Sequence, residues 1–305
     1  MKKILVIGAS GFVGGHVAWA LLADGHAVRC LARNPAKVQD LAAAGCEVVQ
    51  GDMSDLASMR QALESVQAAY ISVHTLSPQH ANTAGQGFME VEMNGLRNIV
   101  TACRTHGVRR LIYVTSLGIT PDGPGAWVRG RWETEQFLFK SGLDVTVIRP
   151  GQIVGVGGQG FNMMVGQAKR RVALVLGGGQ GKMCNIAIDD LVYYLVGVLN
   201  DPRANGQCYD VGCDDTLTKN QMIDVAAEVL GRPHPIKVNV PGTLLGTISP
   251  LIEHLTKAPR GAIKGILDCL EMDMTANSTP IRTILPRPPL SYRQAVERAL
   301  TKGKS

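Results

Sequence analysis

Apolar and polar positions follow two alternating rhythms through the first half of the chain. Residues 3–7 (KILVI) make a short, continuous apolar run that stops at Gly8, the pattern of a buried strand. Val13, Val17, Ala20 and Leu21 then recur at helical spacing over 12–23. Further strands are expected at 26–32 (HAVRCLA), 46–50, 68–73, 109–115 and 144–149 (DVTVIR). Helices are expected at 35–44, 55–65, 88–106 and 127–141, the first opening on Asn34-Pro35 with proline in its first turn. Strands alternating with helices in this way predict an α/β fold built on a doubly wound parallel sheet.

Beyond Pro150-Gly151 the rhythm loosens. A glycine-rich connection (155–160) precedes a helix near 161–170, and Gly177-Gly178-Gly179 marks a turn. A helix follows at 188–200, a strand at 207–211, and a helix from Thr218 to Leu230 with Thr218 as N-cap. Residues 241–272 read as one or two helices divided near Pro259, and a proline-rich stretch (280–289) leads to a last helix over 291–301. The expected organisation is a sheet domain over 1–150 and a smaller, mostly helical lobe over 151–305, interleaved with it, where a substrate would lie.

Composition narrows the function classes. Glycine contributes 35 of 305 residues, well above the ordinary share of roughly 7%, and follows no three-residue period. Many close backbone approaches are therefore expected. The net charge of +6 is spread out, with 14 Lys/Arg against 12 Asp/Glu in residues 1–150 and 17 against 13 in the rest. The longest basic run, Lys169-Arg170-Arg171, has no aromatic residues interleaved with it. A nucleic-acid partner is not expected from such a distribution, whereas attraction of a small anion is. Lys169-Arg170-Arg171 reads as a solvated or mouth-lining patch. The seven cysteines include no C-x-x-C pair and read as free thiols of a cytoplasmic protein. No cluster of ligands suggests a metal, and no apolar segment approaches the ~18 residues of a membrane span.

Gly8-Ala9-Ser10-Gly11-Phe12-Val13-Gly14 gives G-x-x-G-x-x-G at the first strand-to-helix junction. Gly8 permits a tight turn, Gly11 a close approach of backbone to pyrophosphate, and Gly14 close packing of helix on strand. The helix N-terminus adds free N–H groups and partial positive charge. Ser10, Phe12 and Val13 belong to the same phosphate turn, which defines a Rossmann-type dinucleotide site. Strand two ends in Leu31-Ala32-Arg33-Asn34, with Lys37 one turn onward, where NAD-selective sites carry an acid for the ribose 2′-hydroxyl. A guanidinium facing a 2′-phosphate favours NADP(H), with NAD as the alternative. As an ordinary surface charge Arg33 would select neither.

The stretches GASGFVGGHV, LARNP, GDMSD (51–55), VEMNGLRNIVTAC, GVRRLIYVTS, RWETEQFLFKSGLDVTVIRPGQIVG and NIAIDDL span about residues 3–200. Together they resemble the atypical, extended-type short-chain dehydrogenases/reductases, close to the NmrA-like NAD(P)-binding group. LSYRQAVERAL near the C-terminus is also similar to larger members. The resemblance implies that Asp52 and Met53 border the adenine and that Val73, His74 and Thr75 line the loop after strand four. It also places Thr115 at the cofactor, and Pro150 and Gly151 beside the nicotinamide.

Catalytic members of that family carry a serine or threonine after strand five, then a tyrosine, and a lysine four residues later. Ser116 fits the first role, as a donor to substrate or as a loop-packing group. Alignment on RWETEQ puts Trp127 at the tyrosine position and Arg131 at the lysine position. An indole has no accessible acid–base chemistry, and an arginine can hold ribose hydroxyls but cannot release a proton near neutrality. His74 is the candidate replacement donor, against an ordinary loop histidine. Asp189-Asp190 read as helix-capping carboxylates, and Tyr193 and Tyr194 as packing residues. The leading expectation is an NADP(H)-dependent reductase of a small, largely apolar carbonyl or conjugated substrate. The alternatives are a non-catalytic dinucleotide sensor or assembly protein acting on a partner, and a nucleotide-sugar epimerase or dehydratase. An oligomer is compatible with each.

Overall fold

The computed structural model describes residues 2–73, 87–241 and 272–302, with positions 246, 247, 249, 264, 267 and 269. Its main sheet contains β1 (Lys3–Ile7), β2 (Ala27–Ala32), β3 (Glu47–Gln50), β4 (Ala68–Ile71), β5 (Arg110–Val114), β6 (Asp144–Pro150) and β10 (Gln207–Val211). Their order is β10-β6-β5-β4-β1-β2-β3. Pairing is parallel from β3 through to β6, with Ile7 opposite both Leu31 and Ile71. The order reverses between β1 and β4, the switch point where doubly wound sheets open a crevice at their carboxyl edge.

Helices α1 (Phe12–Ala23), α2 (Gln39–Ala43), α3 (Leu56–Leu63), α4 (Phe88–His106) and α5 (Gly125–Phe139) accompany this sheet. Burial explains the apolar strand runs. Leu5, Ile7, Ala69, Ile71, Leu111 and Val145 share one core with Met59 and Leu63 of α3 and Leu96, Ile99 and Val100 of α4. The expected helix at 35–44 is divided. Asn34 accepts a hydrogen bond from Ala36 N (3.0 Å) and starts a 3₁₀ turn over Pro35–Val38, after which α2 begins.

The chain forms two compact units. The first comprises Met1–Thr115, Gly130–Ile148 and Val192–Tyr209, and the second Ser116–Arg129, Arg149–Leu191 and Asp210–Ser305. Sequence patterning places the main boundary at 150 with an interleaved second lobe, and the chain passes between the two units at five points. The second unit also holds more strand than its pattern predicts. It adds β7 (Gln152–Val154), β8 (Val172–Leu176), β9 (Lys182–Ala187), β11 (Thr216–Thr218) and β12 (Ile236–Val240). These make a three-stranded sheet, β11-β9-β7, and a two-stranded sheet, β12-β8. Runs of three to six residues are too short to display a period.

Helices α6 (Gln159–Ala168), α7 (Ile188–Gly197), α8 (Lys219–Val229), α9 (Thr279–Ile284) and α10 (Tyr292–Lys302) complete the described elements. Phe161, Val165, Ala173, Val175, Met222, Ile223, Tyr292 and Val296 form the second unit's core. Thr218 caps α8 in a reciprocal capping box with Gln221. Asp189 and Asp190 do lie in the first turn of α7, but their carboxylates reach further. Buried Asp190 accepts from Arg287 Nε (2.8 Å) and Leu290 N (3.0 Å), and Asp189 pairs with Arg298 (3.1 Å). Gly177, Gly178 and Gly179 all adopt positive φ, as a glycine turn requires. The proposed helices at 241–272 lie largely outside the described residues. All seven cysteines are free thiols, of which only Cys208 is exposed. No described helix is long and apolar enough to cross a membrane.

Candidate functional site

The phosphate turn is built by close contact. Gly8 leaves β1 at φ +96°, and a Cβ there would lie 2.2 Å from Ser72 O, in the segment following β4. A Cβ on Gly14 would lie 2.2 Å from Gly8 O, so only glycine lets α1 pack this tightly against the turn. Gly11 N donates to Gly8 O (2.9 Å), and Gly15 N to Gly11 O (2.9 Å) opens the helical ladder. Gly11 is the N-cap and brings no side-chain acceptor. The N–H groups of Phe12, Val13 and Gly14 therefore precede the first acceptor within the helix. Ser10 and Gly11 are exposed at this point, beside half-buried Phe12 and Val13. Such an arrangement is chemically competent to hold a pyrophosphate.

Arg33 and Asp52 meet at the same carboxyl edge, one strand and two strands away. Arg33 is exposed just past β2, and its Nε lies 3.9 Å from Asp52 Oδ2. Lys37 is exposed in the 3₁₀ turn that follows. Asp52 also accepts from Ser54 N (2.8 Å) and Ser54 Oγ (2.9 Å), which fixes the loop. Met53 packs inward. It is buried in the first unit's core, and a Cβ on Gly95 of α4 would lie 2.0 Å from Met53 Cε. Asn98 of α4 donates Nδ2 to Met53 O (3.0 Å) and Ser54 O (2.9 Å), clamping the loop from below. Asn98 escaped sequence reasoning, although it stands within the quoted VEMNGLRNIVTAC stretch.

Val73, half-buried, follows β4 and packs against the first unit's core. His74 and Thr75 lie outside the described residues. Thr115 follows β5 and donates from Oγ1 to Glu135 of α5 (2.7 Å). Ser116, Pro150 and Gly151 belong to the second unit. There Ser116 Oγ donates to Leu117 O (3.2 Å), and Leu117 N donates to Pro150 O (3.1 Å). A Cβ on Gly151 would lie 2.4 Å from Cys184 O, so this glycine too is required by a close approach. Trp127 is buried in the second unit.

Arg131 has partners other than the ribose hydroxyls that alignment with the family lysine implies. It is 2% exposed and pairs with Glu92 Oε1 of α4 (2.8 Å). Its Nη1 donates to the Tyr113 hydroxyl (3.1 Å), and Tyr113 donates to Glu92. Thr134 Oγ1 donates to Arg131 O (2.7 Å) and lies 3.1 Å from the Tyr113 hydroxyl. Burial disfavours the charged guanidinium, but Glu92 and Tyr113 outweigh it and raise its pKa. Burial, reinforced by Glu92, raises the pKa of Tyr113. Near neutrality the phenol therefore stays protonated and the guanidinium charged. Glu92 was the signal available in sequence, a carboxylate set among Val91, Leu96 and Ile99.

A family model described as NAD(P)H-binding matches residues 8–201. An NAD(P)H azoreductase of Xenophilus azovorans is 27% identical over 232 residues, covering 75% of this chain and 74% of that protein. Quinone oxidoreductase 2 of Escherichia coli is 27% identical over 225 residues, covering 72% of this chain and 71% of the relative. In three dimensions, an NADPH-dependent quinone oxidoreductase of Escherichia coli solved with NADPH superposes with a TM-score of 0.73. It is 21% identical and covers 97% of this chain and 99% of its own. That likeness confirms the Rossmann-type fold. The chain belongs to the NAD(P)H-binding family, within the atypical, NmrA-like short-chain dehydrogenases/reductases.

Proposed function

We propose that this protein is an NADPH-dependent reductase of a small, largely apolar carbonyl or conjugated substrate. The observation that carries the cofactor choice is Arg33, a cation where NAD-selective sites place an acid, on the same sheet edge as the phosphate turn. Its Nε lies 3.9 Å from Asp52 Oδ2, and a 2′-phosphate forms charge-assisted hydrogen bonds with a guanidinium. The azoreductase and the quinone oxidoreductase among its relatives support reduction of conjugated acceptors. A bound reduced dinucleotide supplies hydride. The chain holds the phosphates on α1, sets the ribose edge with Arg33 and Lys37, and presents a proton donor to the substrate oxygen. His74 is the candidate proton donor and Ser116 a hydrogen-bond donor to the same oxygen, since Trp127 and Arg131 cannot serve.

Replacing Arg33 with alanine should weaken NADPH binding about ten- to hundredfold, the equivalent of ~1.5–3 kcal/mol, and leave NADH nearly unchanged in a fluorescence titration. With 4-deuterated NADPH and a panel of quinones, azo dyes and enones, deuterium should appear in the product. Binding of neither dinucleotide would overturn the reading. The burial of Arg131 against Glu92 favours one second reading, a dinucleotide sensor that acts through a partner. Tight NADPH binding without label transfer to any acceptor would select it.

A further inference from the structure

The two-stranded sheet of the second unit carries a face that nothing among the described residues explains. β8 and β12 run parallel, with Ile236 opposite Val172, Val238 opposite Leu174 and Val240 opposite Leu176. Side chains alternate across a strand. Ala173 and Val175 consequently enter the core, and the six aliphatic residues of the other register share the outer face. That face is open: Val172 is 44% exposed, Leu174 48%, Leu176 40%, Ile236 65% and Val238 44%. Aliphatic residues scattered singly on a surface are ordinary, whereas a contiguous patch marks an interaction site.

A cluster of basic residues stands where both strands of this sheet begin. Lys169, Arg170 and Arg171 lead directly into β8. Arg232 precedes β12 and donates from Nη1 to Lys169 O (3.0 Å), while Ile236 N donates to Arg171 O (3.0 Å). All four basic residues are exposed. Among the described residues none of the four forms an ion pair. The nearby carboxylates on α8 are engaged elsewhere, Asp224 by Lys237 (2.6 Å) and Glu228 by His234 (2.8 Å) and Arg293.

We propose that this face docks the protein on an anionic lipid bilayer. Aliphatic side chains that enter the acyl boundary beside cations that meet headgroup phosphates are the two components of peripheral membrane binding. The face is built by two strands of five residues each, too short to cross a bilayer, so the docking is peripheral. Docking of this kind is independent of the reductase reading and would hold for a sensor as well. Its consequence for a reductase is direct access to acceptors dissolved in the membrane.

The test is co-sedimentation of the full chain with vesicles of phosphatidylcholine alone or mixed with phosphatidylglycerol. Binding should require the anionic lipid and weaken as salt rises. Glutamine at Lys169, Arg170 and Arg171 together should lower affinity about a hundredfold, since each basic residue near such a surface contributes about fivefold. Leu174→Ser with Val238→Ser should lower it at least about tenfold at any salt concentration, while NADPH titration of both variants confirms an intact first unit. No binding to anionic vesicles overturns the proposal, as does binding that survives both sets of substitutions. A dimer in light scattering that Leu174→Ser and Val238→Ser disperse would also overturn it, by assigning the face to a second copy of the chain.

Discussion

At the scale of single residues, the site depends on backbone freedom more than on reactive groups. Gly8 combines φ +96° with a would-be Cβ 2.2 Å from Ser72 O. Alanine there is strained and collides with main chain that no rotamer change can move. Gly8→Ala should destabilise the fold by about 3 kcal/mol or more and weaken NADPH binding, read by thermal melts and fluorescence titration. Gly107→Ala is the control. Its φ is +69°, with nothing within 4 Å of the added carbon, so about 1 kcal/mol should be lost and nucleotide affinity kept. The geometry of the glycine turn was legible in sequence because its constraints are local. The packing of Met53 was not, because it depends on Gly95 and Asn98 of a helix distant along the chain.

At the scale of elements, a buried polar knot joins β5, α4 and α5. Arg131 is held by Glu92 and Tyr113, and removing the arginine alone strips Glu92 of its ion pair inside the core. Arg131→Met should therefore destabilise by about 3–5 kcal/mol, while Arg131→Met with Glu92→Leu should recover most of that loss. Denaturant unfolding of the three proteins checks this. NADPH affinity in the folded double variant then separates roles: unchanged affinity places Arg131 in the scaffold, and loss restores it to the ribose. Long, strongly patterned elements such as β1, α1 and α4 lie where the apolar rhythm puts them. β8 escaped because VALVL is apolar at every position, although its side chains alternate between core and surface.

At the scale of the whole molecule, sequence order is a poor guide to partition. Segments 192–209 and 130–148 belong to the first unit, although most of the chain around them builds the second. Contacts that close the second unit span long separations, as where Asp190 receives Arg287 and Leu290 and so fastens the approach to α10. Hydropathy windows have no access to such pairs. The distribution of sulfur offers a way to observe the whole. Six thiols are buried and Cys208 alone is exposed, on the outermost strand of the main sheet. Burial raises the Cys30, Cys46 and Cys213 thiols and pushes Cys103 up to about 12, so they stay protonated and unreactive near neutrality. A chromogenic disulfide reagent should therefore count one fast equivalent in the native protein and seven after denaturation. The unmodified chain thus carries its own stoichiometric gauge of unfolding, with a single natural address for a probe.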